Sequence, residues 1–347
     1  MKPADIRRVA VFRNDRLGDL VCTLPVFEAI RLGLPQAHIT AIVHPEMALL
    51  LAGHPHVDDV LTADKKVSTP VLTRLLRKGR FDAVLMVHCT GRNALAALLS
   101  RTPIRVTHGR RWFRALCGTH RFYKSRRWPP LHESNFALSF TQRLGLPLTL
   151  NESRPRLVVD PAQQAAIRSQ IAGRIGSEGP LFGVHPGSRA SAYNWPVERY
   201  LQTIARLAAV GRVIITGSEH DRERLDWINS RLDPALTGRV MTITGLELPQ
   251  LVATLSLVDA FLASSTGPLH IASLVSHTAV GLYSDVAYAH PNRWQPIGPN
   301  TSILLAHSAS KEPPAIGSPE ADAVMEQISV DTVVERMLAS ASRCCAA

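Results

Sequence analysis

Long apolar runs are missing from this 347-residue chain, and so are paired cysteines and recognisable metal-ligand clusters. No apolar run reaches the ~18 residues needed to cross a bilayer as a helix, so no membrane-spanning helix is expected. The N-terminal stretch from Met1 to Arg16 is short, is flanked by charges and has no small-residue cleavage site beyond it. No secretory signal is read there, and the expected compartment is the cytoplasm. Cys22, Cys89, Cys117, Cys344 and Cys345 are odd in number and scattered, with no CxxC pair; neither a disulfide framework nor a zinc knuckle is indicated. The 14 histidines contain no HExxH. His54 and His56 sit close together, but in a loop-like His-Pro-His without nearby partners, so neither a protein-held metal nor a cofactor is expected. Aromatics are scarce at 5%, against 46% apolar residues overall. The apolar content is therefore aliphatic, rich in Ala, Leu and Val, and sufficient for two buried α/β cores.

One stretch has no acid at all. From Arg101 to Trp128 there are nine basic residues, namely Arg101, Arg105, Arg110, Arg111, Arg114, Arg121, Lys124, Arg126 and Arg127, with Trp112, Phe113, Phe122, Tyr123 and Trp128 interleaved. This stretch carries much of a formal net charge of +11. Such a segment attracts polyanions or an anionic membrane face; a merely solvated basic loop is the plainer alternative. Nucleic acid is not expected as the partner, because no helix-turn-helix, RRM or zinc-finger pattern accompanies the charge.

What is present is an alternation of short aliphatic runs with amphipathic segments, the signature of βαβ units and parallel sheets. In the first half, strands are expected at Arg8–Arg13, His38–Val43, Ala83–Val87 and Ile104–His108, with helices at about Gly18–Leu32 and Glu133–Leu144. Pro147, Pro155 and Pro161 read as linker punctuation. The second series has strands at Leu181–His185, Arg212–Thr216, Val240–Ile243, Ala260–Ala263, Ala279–Tyr283 and Ser302–Leu305. Its helices fall near Val197–Ala208, His220–Arg231, Leu248–Ser256 and Leu269–Val275, with a closing helix at about Glu320–Ser340. The length suits two domains, residues 1–160 and 161–347. Two similar open-sheet halves imply a cleft between them, with ligands outside the carboxyl ends of the strands.

Four strand-to-helix junctions carry chemistry. The first is Arg13-Asn14-Asp15-Arg16-Leu17-Gly18-Asp19, where Asp19 enters a helix and Asp15 precedes it; helix-dipole stabilisation of Asp19 or N-capping by Asp15 are the structural readings. The second is His185-Pro186-Gly187-Ser188-Arg189, a small loop able to wrap a phosphate or to form an ordinary turn. The third, Thr216 to Asp221, offers an acid either for ribose hydroxyls or for capping. The fourth, Ser264-Ser265-Thr266-Gly267-Pro268-Leu269-His270, joins three hydroxyls, a glycine and a helix N-terminus with Pro268 in its first turn, a natural anion site or else a Ser/Thr N-cap with a core histidine.

Taken together, these loops resemble glycosyltransferase family nine, the family of the lipopolysaccharide heptosyltransferases. The resemblance rests on Arg-Leu-Gly-Asp-Leu-Val-Cys-Thr-Leu-Pro at the first junction, the His-Pro-Gly loop followed by Asn194-Trp195-Pro196, the Thr266–His270 loop, and Asn292-Arg293-Trp294-Gln295-Pro296-Ile297-Gly298-Pro299. It implies an α/β fold of GT-B architecture, two facing Rossmann-like domains, with the acceptor held by the first and a nucleotide sugar by the second. It also implies an inverting, metal-independent transfer. Asp19 maps onto the catalytic carboxylate. Ser265, Thr266, Gly267 and His270 map onto the diphosphate loop; Gly187, Ser188 and Arg189 onto the first donor loop; Asp221 onto the ribose acid; and Leu246 onto the adenine wall. Arg16, Arg110, Arg111 and Arg114 are the expected acceptor-binding cations. The expected donor is ADP-heptose and the expected acceptor a lipid-linked anionic saccharide at the cytoplasmic face of the inner membrane, the enzyme acting as a monomer. Two positions depart from the family. Tyr193 stands where characterised members have a phosphate-binding lysine, and Ser265 where they have an aspartate. A tyrosine cannot supply the charge, so Arg189 or the arginines of the first loop would have to substitute. A nucleotide-sugar epimerase, a non-catalytic nucleotide-sugar-binding protein and a polyanion-binding module are the alternatives that the same features leave open.

Overall fold

The computed structural model describes residues 5–124, 131–188, 192–287, 289–308 and 313–342. The chain divides into two compact units, Met1–Val158 and Val159–Ala347.

The first unit is built on strands β1 (Arg8–Arg13), β2 (His38–Val43), β3 (Asp59–Thr62), β4 (Ala83–Leu85), β5 (Ile104–His108) and β6 (His120–Phe122). They form one sheet in the order β3-β2-β1-β4-β5-β6, and every pair is parallel. Helices α1 (Leu17–Val21), α2 (Leu24–Gly33), α3 (Thr69–Gly79), α4 (Gly91–Leu99), α5 (Trp112–Cys117) and α6 (Glu133–Gln142) flank it. The central strand β1 is buried from Val9 to Arg13, as expected for a parallel strand covered on both faces.

The second unit repeats the plan. Helix α7 (Pro161–Ile175) leads into β7 (Leu181–His185), α8 (Val197–Val210), β8 (Arg212–Gly217), α9 (Arg222–Arg231), β9 (Val240–Thr244), α10 (Leu248–Leu255) and β10 (Ala260–Ser264). Then follow α11 (Gly267–Val275), β11 (Thr278–Ser284), α12 (Pro291–Trp294), β12 (Thr301–Ala306), α13 (Pro319–Met325) and α14 (Val330–Ser342). The sheet order is β12-β11-β10-β7-β8-β9, again parallel throughout. Each sheet reverses its winding beside its first strand, between β1 and β4 in one unit and between β7 and β10 in the other. Such switch points open a crevice at the carboxyl ends of the strands. Both units fasten the central strand alike: Asp82, just before β4, accepts from the Arg8 amide at 2.9 Å, and Asp259, just before β10, accepts from the Leu181 amide at 2.7 Å.

The structure corrects the sequence expectations at several ends. The helix expected over Gly18–Leu32 is two helices, because Pro25 in the first turn of α2 has no amide to donate and its ring cannot follow a helical carbonyl. The closing helix is also two, divided where the Ser329 hydroxyl accepts from the Thr332 amide at 3.1 Å and starts α14 afresh. Pro161 is not part of a linker; it opens the 15-residue α7, with Asp160 capping the Ala162 amide at 2.9 Å. Strands β3 and β6 went unpredicted because edge strands carry polar residues that erase the apolar signal.

Aromatic residues, although scarce, hold the second core. Trp195, Tyr193 and Tyr200 are fully buried. Trp195 Nε1 donates to Ile328 O at 3.1 Å, tying the segment before α8 to the C-terminal helices. Gly298, in the Pro-Ile-Gly-Pro segment, packs so closely on α11 that a Cβ there would fall 1.6 Å from the Ser273 carbonyl oxygen. Gly298→Ala is therefore expected to destabilise the fold by about 1–3 kcal/mol, the usual cost of overpacking. Thermal unfolding checks this; an unchanged Tm would mean that the segment can move off α11 freely.

Candidate active site

In the first unit, the residues gathered at the switch point are Arg13, Asp15 and Asp19 from the end of β1, His88 from the end of β4, and Glu133 from the start of α6. Arg13 is the last residue of β1, and its side chain is 2% exposed. Its Nε lies 3.0 Å from Asp15 Oδ1. Its NH2 nitrogen pairs with Asp19 Oδ1 and also reaches Glu133 Oε1 at 3.3 Å. Asp15 therefore does not cap α1. The N-cap is Arg16, which makes no side-chain cap bond, and Asp15 serves the ion cluster instead. Asp19 falls in the first turn of α1 and keeps 15% of its side chain exposed.

Burial raises the Asp19 carboxyl to about 6, with Arg13 opposing and Asp15 and Glu133 reinforcing the rise. The carboxyl of Asp15 is likewise raised, chiefly by burial. Burial works against the Arg13 charge, but the surrounding carboxylates outweigh it and hold the guanidinium protonated. His88 is pushed down to about 4 by burial, with Arg13 adding to the effect, and is neutral at neutral pH. Its Nδ1 lies 3.0 Å from Asn14 Oδ1, while Asn14 Nδ2 donates to Ala63 O at 2.9 Å. The amide orientation is thus fixed and His88 must donate from Nδ1, leaving the lone pair on Nε2. A carboxylate with a proton affinity near neutrality, partly open to solvent, is suited to general-base work.

The basic segment divides by role. Arg105 is spent on structure, donating to Cys117 O at 2.7 Å and Thr102 O at 2.6 Å. Arg114 donates to Cys89 O at 2.5 Å, tying α5 to the loop after β4. Arg16, Arg110 and Arg111 are exposed, as are Trp112 and Leu116 on α5 and Tyr123 beyond β6. Arg126, Arg127 and Trp128 lie outside the described residues.

In the second unit, the expected donor residues sit at the carboxyl ends of adjacent strands. Gly187 and Ser188 follow β7, Asp221 follows β8, Leu246 follows β9, and Ser265, Thr266, Gly267 and His270 follow β10. Arg189 lies outside the described residues. Thr266 is the N-cap residue of α11 but makes no side-chain cap bond. Its Oγ1 is buried and has no hydrogen-bond partner among the described residues, at the positive end of a nine-residue helix. An anion at that N-terminus would satisfy both the hydroxyl and the free amides. Asn194 ties the neighbouring loops together: its Nδ2 donates to Pro186 O at 2.7 Å, and its Oδ1 accepts from Ser264 Oγ at 3.1 Å. Asp221 closes a capping box, accepting from the Ser218 amide at 2.8 Å and the Ser218 hydroxyl at 2.6 Å. A Cβ at Gly187 would fall 2.0 Å from Asp221 Oδ1, so the glycine is what lets these two loops meet. Tyr193 donates its hydroxyl to Pro314 O at 2.5 Å from within the core.

Sequence reasoning missed Glu133, His88 and the side chain of Asn14, and read Arg13 only as one of the first-loop arginines that could stand in for the missing lysine. Glu133 and His88 are single polar residues far from the first loop in the chain, with no motif around them; Asn14 lies within that loop, but nothing local marks its side chain as the partner of His88. His54 is buried, with Nε2 3.2 Å from Arg156 O, and burial pushes it down to about 4. Among the described residues, no group of three or more His, Cys, Asp or Glu is arranged to hold a metal, and no helix is long and apolar enough to cross a membrane.

Two α/β units, each with a six-stranded parallel sheet and its polar loops at the carboxyl ends, define a fold of the GT-B kind. The chain shares it with E. coli ADP-heptose lps heptosyltransferase II, with a TM-score of 0.79 at 19% identity, covering 97% of this chain and 99% of that one. Residues 71–319 match the model of glycosyltransferase family 9 (heptosyltransferase), and the chain belongs to that family. Among its relatives, it is 25% identical to a putative glycosyltransferase of Haemophilus influenzae, covering 88% of this chain and 91% of the relative. It is 24% identical to the lipopolysaccharide core heptosyltransferase OpsX of the same organism, covering 95% and 96%. The protein is a family 9 glycosyltransferase.

For a nucleoside diphosphate such as ADP held at this N-terminus, Thr266→Val should lower affinity about tenfold or more, the scale of a hydrogen bond to a charged group. The Tm should stay equal or rise, because a buried unpaired hydroxyl is removed. Calorimetric titration with ADP tests this; an unchanged Kd would remove Thr266 from the site.

Proposed function

We propose that the chain is an inverting, metal-independent heptosyltransferase, moving heptose from ADP-heptose onto the lipopolysaccharide core or a related lipid-linked saccharide. The observation that carries the reading is the Asp19 carboxyl, held by Arg13 beside two further acids, partly exposed and raised to about 6. The choice of donor and acceptor is supported by relatives named as heptosyltransferases of lipopolysaccharide.

On this reading, residues 1–160 hold the acceptor and 161–347 the donor. Asp19 takes the proton of the acceptor hydroxyl. The freed oxygen forms a new bond to the anomeric carbon as the bond to the diphosphate breaks on the opposite face, and the electron pair leaves with ADP. The growing charge on ADP is met by the Thr266 hydroxyl, the Gly267 amide, Ser188 and Ser265, with His270 in the first turn of α11 and Arg189 completing the set. Asp221 and Leu246 serve the nucleoside end. Arg16, Arg110 and Arg111 attract the anionic saccharide. Exposed Trp112 and Leu116 among those arginines suit an anionic membrane surface, where aromatic and aliphatic side chains reach the headgroup level while cations meet phosphate.

Asp19→Asn keeps the shape but cannot accept the proton. Its kcat with ADP-heptose and heptose-deficient lipopolysaccharide is expected to fall by about 10²–10⁴. Wild-type activity should rise with pH through about 6 as Asp19 deprotonates, and excess EDTA should leave it intact. A group whose folded pKa is raised costs stability once ionised, so at pH 8 the Asn variant should melt no lower than wild type. Near-normal kcat in Asp19→Asn, or EDTA inactivation reversed by Mg²⁺, would overturn the mechanism.

Charge reversal at Arg110 and Arg111 should raise KM for the lipid-linked acceptor and weaken binding to vesicles containing anionic lipid, leaving ADP affinity unchanged. An equal loss of ADP affinity would reassign these residues to the donor.

A further inference from the structure

We propose that Glu133 is a positioning residue for the transfer, holding the Asp19 carboxylate for proton abstraction through the Arg13 guanidinium that the two acids share. The inference rests on the reading of Asp19 as the base and adds to it a residue 114 positions further along the chain, from the start of α6.

The geometry is that of one planar cation between three acids. Arg13 presents Nε to Asp15 Oδ1 at 3.0 Å, while its NH2 nitrogen serves both Asp19 Oδ1 and Glu133 Oε1, the latter at 3.3 Å. The Glu133 side chain is 3% exposed, so its carboxylate cannot relax into solvent. A guanidinium is a rigid fork. Asp15 lies against one edge by charge, its Oδ1 close to Arg13 Nε but not hydrogen-bonded to it, so it is the NH2 contact with Glu133 that keeps the fork from turning wholly onto Asp19 as a two-bond pair. Such a pair would take up both carboxylate oxygens of the base and make it a weaker proton acceptor. Glu133 thus leaves Asp19 oriented through one oxygen, with the other available to the acceptor hydroxyl.

The groups facing Asp19 are Arg13 from β1, Asp15 from the following turn, Glu133 from α6, His88 from the loop after β4 and Cys22 from the end of α1. Burial contributes most to the raised proton affinity; Arg13 and His88 oppose it, and Asp15 and Glu133 reinforce it. Among the reinforcing acids, Glu133 alone comes from outside the β1–α1 turn. Glu133→Gln still offers Arg13 an oxygen but removes the like charge, so Asp19 should bind its proton less tightly. Glu133→Asp keeps the charge and draws it back by one methylene.

The test is a carbon-detected NMR titration of the Asp19 carboxyl in the full chain, with kcat measured against pH. In Glu133→Gln, the Asp19 midpoint and the acid limb of kcat should both fall by about one pH unit, the order expected when a like charge close by is withdrawn. The plateau rate should drop several-fold, about as a weaker base dictates. In Glu133→Asp, the midpoint should hold while kcat falls. A merely structural glutamate would lower Tm and the active fraction without moving the limb. An unmoved midpoint in folded Glu133→Gln overturns this inference alone; retained turnover in Asp19→Asn overturns the base reading and this inference with it. If Glu133→Gln does not fold, the wild-type titration decides. Asp19 and Glu133 should then show coupled two-step curves, and independent single-step curves overturn the inference.

Discussion

Withdrawing a guanidinium from water costs several kcal/mol, and the cost is offset only by close, well-oriented anions. Arg13, at the end of the central strand, is buried to 2% exposure, and that one constraint organises the switch point of the first unit. The turn after β1 must double back to bring Asp15 and Asp19 to the cation, and α6 must start where Glu133 can reach it. Three acids around one cation cannot all be compensated. Burial raises the proton affinity of the cluster and the excess of acid adds to it, and the effect surfaces at Asp19, the member that lies near neutrality and keeps a partly open edge. The interaction that fixes the local fold is therefore also what makes a carboxylate a usable base. Cys22, at the end of α1, experiences the same environment with the opposite consequence. Burial, with the charges of Asp19 and Glu133, pushes its thiol up, so this cysteine packs and does not react.

On the proposed reading, the second unit forms its anion site without an ion cluster among the described residues. Its loops are placed by neutral bonds: Asn194 links Pro186 O to Ser264 Oγ, Tyr200 places its hydroxyl 3.1 Å from the same Ser264 Oγ, and His185 Nδ1 meets Thr216 Oγ1 at 3.0 Å. These bonds run across β8, β7 and β10, on both sides of the switch point, so the ends of adjacent strands are tied to one another and not to solvent. Against that rigid backing, the unpartnered Thr266 hydroxyl and the start of α11 form a polar surface held ready. Preorganised donors of this kind need no rearrangement when charge arrives.

Much of this was legible in the sequence because parallel strands buried on both faces are written as near-continuous aliphatic runs. β1, β2, β5 and β7 have the limits that those runs define. The four loops were legible because glycine, proline and hydroxyl residues cluster where a strand hands over to a helix. What could not be read is of two kinds. Edge strands β3 and β6 and the short α5 carry polar or basic residues on open faces, so no periodicity marks them. Glu133 and His88 reach the site only because the fold brings distant segments to the crevice beside β1, and pairing across more than seventy residues has no local signature. Asp15 was misread for the related reason that capping is a local rule; a buried arginine two residues away, with its own unmet charge, outweighs the fraction of a kcal/mol to about 2 kcal/mol that a cap supplies.

Tyr193 shows how a departure from the family pattern can be absorbed. At this position a lysine would have to bury an ammonium among Trp195, Tyr200 and the C-terminal helices, or else the segment would have to turn outward. Tyrosine instead fills the core and places its hydroxyl on Pro314 O, drawing the chain beyond β12 onto the segment that follows the His-Pro-Gly loop. The fold gains a tether, and that position no longer offers a cation. On the proposed reading, the described donors to the diphosphate after β7 and β10 are then mainly hydroxyls and amides, whose strength lies in direction. Neutral donors give a diphosphate less long-range attraction than an ammonium, but they are less weakened by salt. Each must also be met by an oxygen at a particular place, so donors aimed at the oxygen that leaves the anomeric carbon strengthen as charge grows there. Loss of the lysine therefore bears first on how strongly the donor is drawn in from solution, and least on stabilisation of the leaving group once it is bound.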